Sequence, residues 1–139
     1  MQIRQLESGF AIADAVTPED LDEIARRGFH SVICNRRPGE AEDHPDEASL
    51  RERAASLGLE WCSIPVTPGN YGDADIAAFG QALDTLPTPI LAFCRTGKRA
   101  ANLWAQARCR EAGCDIPALL DAAHAAGHDP QPVRELLNA

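Results

Sequence analysis

The sequence predicts a three-layer α/β fold, in which helices cover both faces of a central, mainly parallel sheet. Short apolar segments alternate with segments of helical periodicity along the whole chain, which is typical of this fold class. The chain has 139 residues, of which 45% are hydrophobic, so it can bury a core without disulfides or a structural metal. We therefore expect residues 1–139 to form a single domain, with a helical tail over about 115–139.

The N-terminal elements show the alternation clearly. Residues 10–15 are predicted to form a strand, paired with residues 3–6, and the apolar segment 31–35 is predicted to form a buried strand. Between them, the sequence Thr17-Pro18-Glu19-Asp20 predicts a helix start, because Thr17 can cap the helix and the acids suit its positive end. Gly28 ends that helix. Further strands are predicted over 61–65 and 89–93, and further helices over about 46–57, 73–86, 99–112, 116–126 and 133–137.

The charge of the chain excludes some partners. Thirteen basic and 21 acidic residues give a net charge of −8, which disfavours binding to nucleic acid or to an anionic membrane surface. No apolar run approaches the length of a transmembrane helix, and the N-terminal residues lack a signal-peptide core. We therefore expect a cytoplasmic protein with no nucleic-acid or membrane partner.

The five cysteines do not form a recognisable disulfide or metal pattern. Their number is odd, their spacings are irregular, and no pair of them shows the spacing of a zinc site. His124 and His128 lie four residues apart, but Gly127 is expected to break the helix between them. We expect no metal and no cofactor. Cys34 is predicted to pack in the core, with a role as a resolving thiol for Cys94 as the alternative. Cys109 and Cys114 flank a helix end and are predicted to be structural or without a role.

Cys94 is the candidate nucleophile. It follows the predicted strand 89–93 and begins a tight loop that leads directly into a helix. Backbone N–H groups in such a loop, together with the positive end of the helix, bind anions and favour the thiolate over the thiol. The alternative is a buried core cysteine, because free cysteine is among the most buried residue types.

The residues that follow Cys94 are predicted to bind an anion. Gly97 allows the backbone to approach a ligand closely, and three basic residues surround it in a chain that is acidic overall. Arg99 is predicted to act with Cys94 in catalysis by stabilising negative charge. The predicted binding residues of the loop are Arg95, Thr96, Gly97, Lys98 and Ala100.

Two further candidates follow another strand. In parallel sheets, ligands bind beyond the carboxyl ends of the strands, where the loops after Asn35, Pro65 and Phe93 are expected to meet. Asn35 and Arg36 are therefore predicted to help hold an anionic substrate. The alternative for Arg36 is surface ion pairing with the acid-rich loop over 40–43.

The segment Cys94-Arg95-Thr96-Gly97-Lys98-Arg99 resembles the active loop of the rhodanese sulfurtransferases and of the protein tyrosine and dual-specificity phosphatases. Over about residues 1–128, the chain resembles a bacterial family described as the phosphatase-like domain of beta-lactamase hydrolase-like proteins, also called a sulfur transferase family. The resemblance implies a protein-tyrosine-phosphatase-like fold. Members of the family stand alone or are fused to a persulfide dioxygenase domain, which implies that enzyme, or another enzyme of sulfur metabolism, as a partner. The supporting segments are 3–4, 16–21, 32–36, 64–66 and 94–99.

Two features favour sulfur chemistry over phosphate chemistry. Tyrosine phosphatases carry the pattern Cys-x5-Arg, usually after a histidine, whereas four residues separate Cys94 from Arg99 and a phenylalanine precedes Cys94. The loop over 65–72, where the general acid of that family would lie, contains no acid. Asp73 and Asp75 follow it and are predicted to cap a helix, with general-acid catalysis as the alternative.

The predicted function is therefore a sulfurtransferase. Cys94 would take a sulfane sulfur from a small anionic donor such as thiosulfate or a persulfide, hold it as a Cys94 persulfide, and pass it to a thiophilic acceptor. The alternative is a phosphatase that hydrolyses phosphate monoesters through a phosphocysteine at Cys94.

Overall fold

The computed structural model describes residues 1–40, 46–111 and 113–137. A five-stranded sheet runs through it in the order β1-β2-β5-β3-β4, with β1 antiparallel to β2 and the other neighbours parallel. The mainly parallel sheet confirms the prediction. The strands are β1 (Ile3–Glu7), β2 (Phe10–Ala13), β3 (Ser31–Cys34), β4 (Glu60–Ser63) and β5 (Ile90–Phe93).

Helices cover both faces of this sheet. Successive strand residues point to opposite faces, so Ile33 and Ala92 join one apolar cluster while Cys34 and Phe93 join the other. The first cluster contains residues of the last four helices, and the second contains residues of the first two. This arrangement confirms the three-layer α/β fold. The helices of the described ranges are α1 (Pro18–Arg26), α2 (Glu47–Ser56), α3 (Asp73–Thr85), α4 (Lys98–Cys109), α5 (Ile116–Ala125) and α6 (Pro130–Leu137).

Capping explains where two of these helices begin. Thr17 Oγ1 accepts a hydrogen bond from the Asp20 N–H at 3.2 Å, and the Asp20 carboxylate accepts one from the Thr17 N–H at 2.9 Å. The predicted start of α1 is therefore confirmed. The predicted start of α6 at residue 133 is too late, because Asp129 accepts a hydrogen bond from the Gln131 N–H and Pro130 occupies the first turn.

Several predicted elements end later than the observed ones, among them the strand over 10–15, which ends at Ala13. The strand predicted over 61–65 ends at Ser63, although the Ile64 N–H still donates to the Cys34 carbonyl of β3 at 2.9 Å. The helix predicted over 99–112 ends at Cys109, where the Arg110 N–H closes the last turn on the Ala107 carbonyl. None of the helices in the described ranges combines the length and apolar character that crossing a bilayer requires.

The strand register brings the three predicted loops, which follow β3, β4 and β5, to one edge of the sheet. Phe93, the last residue of β5, pairs with Ala13 of β2 on one side and with Cys34 of β3 on the other, and Cys34 pairs with Ser63 of β4. Four parallel strands therefore end level with one another. The loops that follow them meet beyond this edge, where ligands bind in sheets of this type.

Candidate active site

Cys94 lies at the start of the loop between β5 and α4. Its side chain is 0% exposed, yet it belongs to neither of the two apolar clusters. Its Sγ accepts a hydrogen bond of 3.0 Å from the backbone N–H of Gly97, the N-cap residue of α4. The loop therefore folds back on the sulfur, and the positive end of α4 is directed at it.

Gly97 occupies a position that other residues would not tolerate. Its φ of +91° lies in the left-handed region, which side chains rarely adopt. A Cβ at this position would lie 3.2 Å from Nε2 of His128 and 3.4 Å from the carbonyl oxygen of Ala13. Both the turn and the close packing behind it therefore require glycine, and together they fix the N–H that contacts Cys94.

Arg99 connects the three loops that meet at this edge. It lies in the first turn of α4 and is only 4% exposed. Its Nη1 donates to the carbonyl oxygens of Val66, at 3.1 Å, and Asn35, at 3.4 Å. Its guanidinium also forms two hydrogen bonds with the carboxylate of Glu40, at 2.7 and 2.8 Å. Those bonds raise the pKa of Arg99, and attraction to the Cys94 sulfur contributes as well.

Glu40 is a site residue that the sequence did not single out. Its side chain is 7% exposed, and the backbone N–H of Arg37 donates to it at 2.6 Å in addition to the Arg99 contacts. The hydrogen bonds from Arg99 lower the pKa of the Glu40 carboxyl from 4.5 to about 2, so it is ionised at neutral pH. The acid-rich loop after Arg36 was the available signal, but it indicated a surface ion pair.

Asn35 and Arg36 are buried at the base of the site. Asn35 Nδ2 donates to the Ile64 carbonyl at 2.9 Å, so the side chain joins the loop after β3 to the loop after β4. Within the described residues, Asn35 Oδ1 and Arg36 Nε have no hydrogen-bond partner. Neither residue lines the cleft described next, although both lie close to Arg99 or to its ion pair.

An open cleft of about 700 Å³ lies above the loop. Arg95, Thr96 and Lys98 are exposed along it, and Arg99 reaches it from below. Ala100, in contrast, is 0% exposed and packs in the apolar core beneath α4, away from any substrate. The remaining residues that line the cleft are Pro68, Gly69, Tyr71, Asn102, Pro132, Glu135 and Leu136.

Three polar residues of this cleft, Tyr71, Asn102 and Glu135, come from outside the predicted site. Asn102 is 3% exposed and donates from Nδ2 to the Tyr71 hydroxyl at 3.1 Å, which fixes the tyrosine at the cleft wall. Glu135 projects from α6 and is the acid among the described residues that line the cleft. Asn102 lies on α4 itself, three residues after Arg99. The sequence offered no signal for Glu135, because only the packing of α6 beside α4 brings it to the cleft.

Asp73 and Asp75 lie outside the cleft. The Asp75 carboxylate accepts a hydrogen bond from the Gly72 N–H at 3.2 Å, at the start of α3. Asp73 has a side chain that is 94% exposed and forms an ion pair with Arg110. Asp75 therefore has the capping role that the sequence predicted for it, whereas Asp73 lies in the first turn of α3 and pairs with Arg110 instead.

Cys34 packs on the face of the sheet that α1 and α2 cover. It joins the apolar cluster of α1 and α2, together with Phe93. Burial raises the pKa of its thiol to about 12. A thiol of this kind is a poor nucleophile at neutral pH, so the core role that the sequence predicted fits its surroundings.

Comparison with known proteins places this site in a family. Residues 2–113 match the family described as beta-lactamase hydrolase-like protein, phosphatase-like domain. A beta-lactamase hydrolase-like protein from Xylella fastidiosa is 31% identical over 105 residues, which is 76% of this chain and 24% of that protein. The chain therefore spans about a quarter of the length of the curated relatives it matches.

Solved structures with the same fold include phosphatases. The crystal structure of a phosphatase candidate from Neisseria meningitidis Z2491 superposes with a TM-score of 0.89 at 32% identity, covering 99% of this chain and 97% of that one. Kinase-associated phosphatase, with its catalytic-site cysteine replaced by serine, superposes with a TM-score of 0.72 at 14% identity, covering 99% and 94%. These matches confirm the predicted resemblance, and the chain belongs to the phosphatase-like domain family of the beta-lactamase hydrolase-like proteins.

Proposed function

We propose that this domain is a cysteine-dependent phosphatase that hydrolyses phosphate monoesters, with Cys94 as the nucleophile. The observation that carries the proposal is the loop itself: the Cys94 Sγ accepts a hydrogen bond from the Gly97 N–H at the start of α4, and Arg95, Lys98 and Arg99 beside it line a cleft of about 700 Å³. The names of the family and of the Neisseria protein support phosphate as the substrate group. This proposal replaces the predicted sulfurtransferase as the first candidate.

The size of the cleft also supports an organic phosphate. Thiosulfate is a small inorganic ion, whereas a cleft of about 700 Å³ has the size of a site for a whole organic molecule. Tyr71, Pro68 and Leu136 supply apolar surface for such a group, and Arg95 and Lys98 supply positive charge near the phosphate. Because the Cys94 sulfur is fully covered, the phosphoryl group has to open the loop over it when it binds.

The chemistry has two steps. In the first, the Cys94 thiolate attacks phosphorus, so that an S–P bond forms while the bond to the ester oxygen breaks and the alcohol leaves with a proton. In the second, a water oxygen attacks phosphorus, the S–P bond breaks, and phosphate and the thiolate are released. The loop N–H groups and Arg99 stabilise the negative charge that develops on the phosphoryl oxygens in both steps.

The proton for the leaving alcohol has to come from an acid at the cleft. Asp75 caps α3, Asp73 pairs with Arg110, and neither carboxylate lines the cleft. Glu135 does line it, opposite the loop that carries Arg95. We therefore assign the general-acid role to Glu135, with Glu40 as the residue that orients Arg99.

Sulfur transfer is the second candidate, and the positions of Asp73 and Asp75 favour it. A sulfurtransferase needs no general acid, because the sulfite released from thiosulfate is a good leaving group. The Cys94 thiolate would attack the outer sulfur of thiosulfate, so that a new S–S bond forms, the old one breaks and sulfite leaves. A thiol would then remove the sulfur from the Cys94 persulfide, and a persulfide dioxygenase would be a fitting partner.

Parallel assays separate the two candidates. The wild-type protein is tested for release of phosphate from p-nitrophenyl phosphate and for transfer of sulfur from thiosulfate to cyanide. We expect phosphate release, its complete loss in Cys94→Ser, and its retention in Cys62→Ser, a matched control at a half-buried cysteine of β4. A Cys94 persulfide detected by mass spectrometry, without turnover of the phosphate ester, would assign sulfur transfer instead.

A further inference from the structure

Cys109 and Cys114 bring two thiols into contact at the far end of α4. Cys109 is the last residue of that helix, and Cys114 directly precedes Asp115, the N-cap residue of α5. The Cys114 thiol donates a hydrogen bond to the Cys109 sulfur, and the two Sγ atoms are 2.7 Å apart. A disulfide bond is about 2.05 Å long, so the backbone already holds both sulfurs near bonding distance.

This pair is also more accessible than Cys34 and Cys94. Both side chains are half-buried, and Cys114 lines an open surface groove of about 450 Å³ together with Trp104 and Arg108. Cys34 and Cys94 are fully buried in contrast. Cys62 is half-buried too, and burial raises the pKa of its thiol, while the contact with Cys109 raises the pKa of the Cys114 thiol to about 11. Accessibility and a neighbouring thiol are the two features that direct oxidation to a particular cysteine.

We propose that Cys109 and Cys114 are a thiol-oxidation site, at which a hydroperoxide converts the two thiols into an intramolecular disulfide. One sulfur attacks the hydroperoxide, so that an S–O bond forms, the O–O bond breaks, and the departing oxygen leaves protonated as water or an alcohol. The second sulfur then attacks the sulfenic acid, so that the S–S bond forms, the S–O bond breaks and water leaves with the remaining proton. Two thiols lose two electrons, and the hydroperoxide gains them.

The disulfide would join the end of α4 to the start of α5. Four residues lie between the two cysteines, so the loop that it closes is short and the expected gain in stability is small. Cys94 has no role in this chemistry, because the active loop lies at the opposite end of α4. The site is therefore recognised by its product and not by a change in activity or a large shift in unfolding temperature.

Peptide mapping tests the proposal directly. The reduced protein is treated with hydrogen peroxide, the remaining thiols are blocked with iodoacetamide, and the protein is digested with trypsin without reduction. Trypsin cleaves after Arg108 and Arg110, so the disulfide would join two peptides that are otherwise separate. We expect that linked pair, a protein mass lower by two hydrogen atoms, and a fall from five free thiols to three, the five cysteines minus the two that are joined.

Three variants sharpen the result. Cys109→Ser and Cys114→Ser should each abolish the linked peptides, whereas Cys62→Ser should leave them unchanged. A link that involves Cys34 or Cys94 would overturn the proposal, as would oxidation of Cys109 and Cys114 to unlinked sulfinic acids. Retention of all five thiols, under conditions that oxidise a small dithiol, would overturn it too. If a serine variant does not fold, mapping of the wild-type protein still decides the question.

Discussion

The carboxylate of Glu40 forms hydrogen bonds of 2.7 and 2.8 Å with the guanidinium of Arg99, 59 positions away in the chain. Both side chains are less than a tenth exposed. A buried guanidinium needs a partner of this kind, because an unpaired charge in the protein interior is costly. The same pair therefore sets the orientation in which Arg99 would meet the phosphate group of the proposed substrate.

Replacing Glu40 should affect stability and activity together. In Glu40→Gln, Arg99 keeps its hydrogen bonds to the carbonyl oxygens of Asn35 and Val66 but loses its buried counter-ion. Breaking a buried pair in this way costs about 3 kcal/mol, which urea denaturation would measure. We also expect kcat to fall, because a misdirected guanidinium stabilises the transition state less well. The control is Glu23→Gln, which removes an exposed ion pair of α1 and should change neither quantity appreciably.

The same pair predicts a pH dependence of stability. Arg99 lowers the pKa of the Glu40 carboxyl from 4.5 to about 2, so the folded state binds a proton less readily than the unfolded state. The stabilisation is therefore fully present above about pH 4.5 and is lost as the pH falls towards about 2. Urea denaturation should show that the free energies of unfolding of the wild type and Glu40→Gln differ by a constant amount from pH 5 to 7. Below pH 4.5, this difference in free energy should shrink. A difference independent of pH across the acid range would contradict this assignment.

Gly97→Ala should disrupt the loop more than an equivalent change elsewhere. The left-handed backbone alone costs about 1–3 kcal/mol with a side chain. At Gly97, the new methyl group would also press on His128 and on the Ala13 carbonyl, moving the N–H that contacts Cys94. Gly58→Ala is the matched control, because Gly58 has a φ of +77° but no atom within 4 Å of an added Cβ. We expect both variants to lose stability and only Gly97→Ala to lose activity; equal activity in the two would refute the role of Gly97.

The fold and the loop could be predicted from local sequence, whereas the rest of the site could not. Strand and helix periodicity, Thr17 at a helix start and Gly97 in a tight turn are local signals, and each fixes backbone within a few residues. Glu40 and Asn102 depend on contacts made across more than 30 positions of chain, which no local pattern encodes. The sequence also predicts a residue that the cleft does not use. Ala100 follows the loop and is predicted to bind the substrate, but the first turn of α4 directs its side chain into the core.

The choice between phosphate and sulfur chemistry also depends on a residue that local sequence does not connect to the nucleophile. The loop over 65–72 contains no acid, and from that segment alone a general acid is missing. The packing of α6 supplies Glu135 to the same cleft from the other end of the chain. An acid required by the reaction can thus come from an element that the sequence places nowhere near the nucleophile.

The assignment of Glu135 makes a prediction that depends on the leaving group. A general acid contributes about 10²–10⁴-fold when the departing alcohol is a poor leaving group, and much less when it is a good one. In Glu135→Gln, kcat should therefore fall steeply with an alkyl phosphate and little with p-nitrophenyl phosphate. The neighbouring Arg134→Gln controls for changes in α6 that do not reach the cleft, because Arg134 does not line it. An equal fall with both esters would indicate that Glu135 shapes the cleft and that the proton comes from elsewhere, since only proton donation to the ester oxygen distinguishes the two substrates.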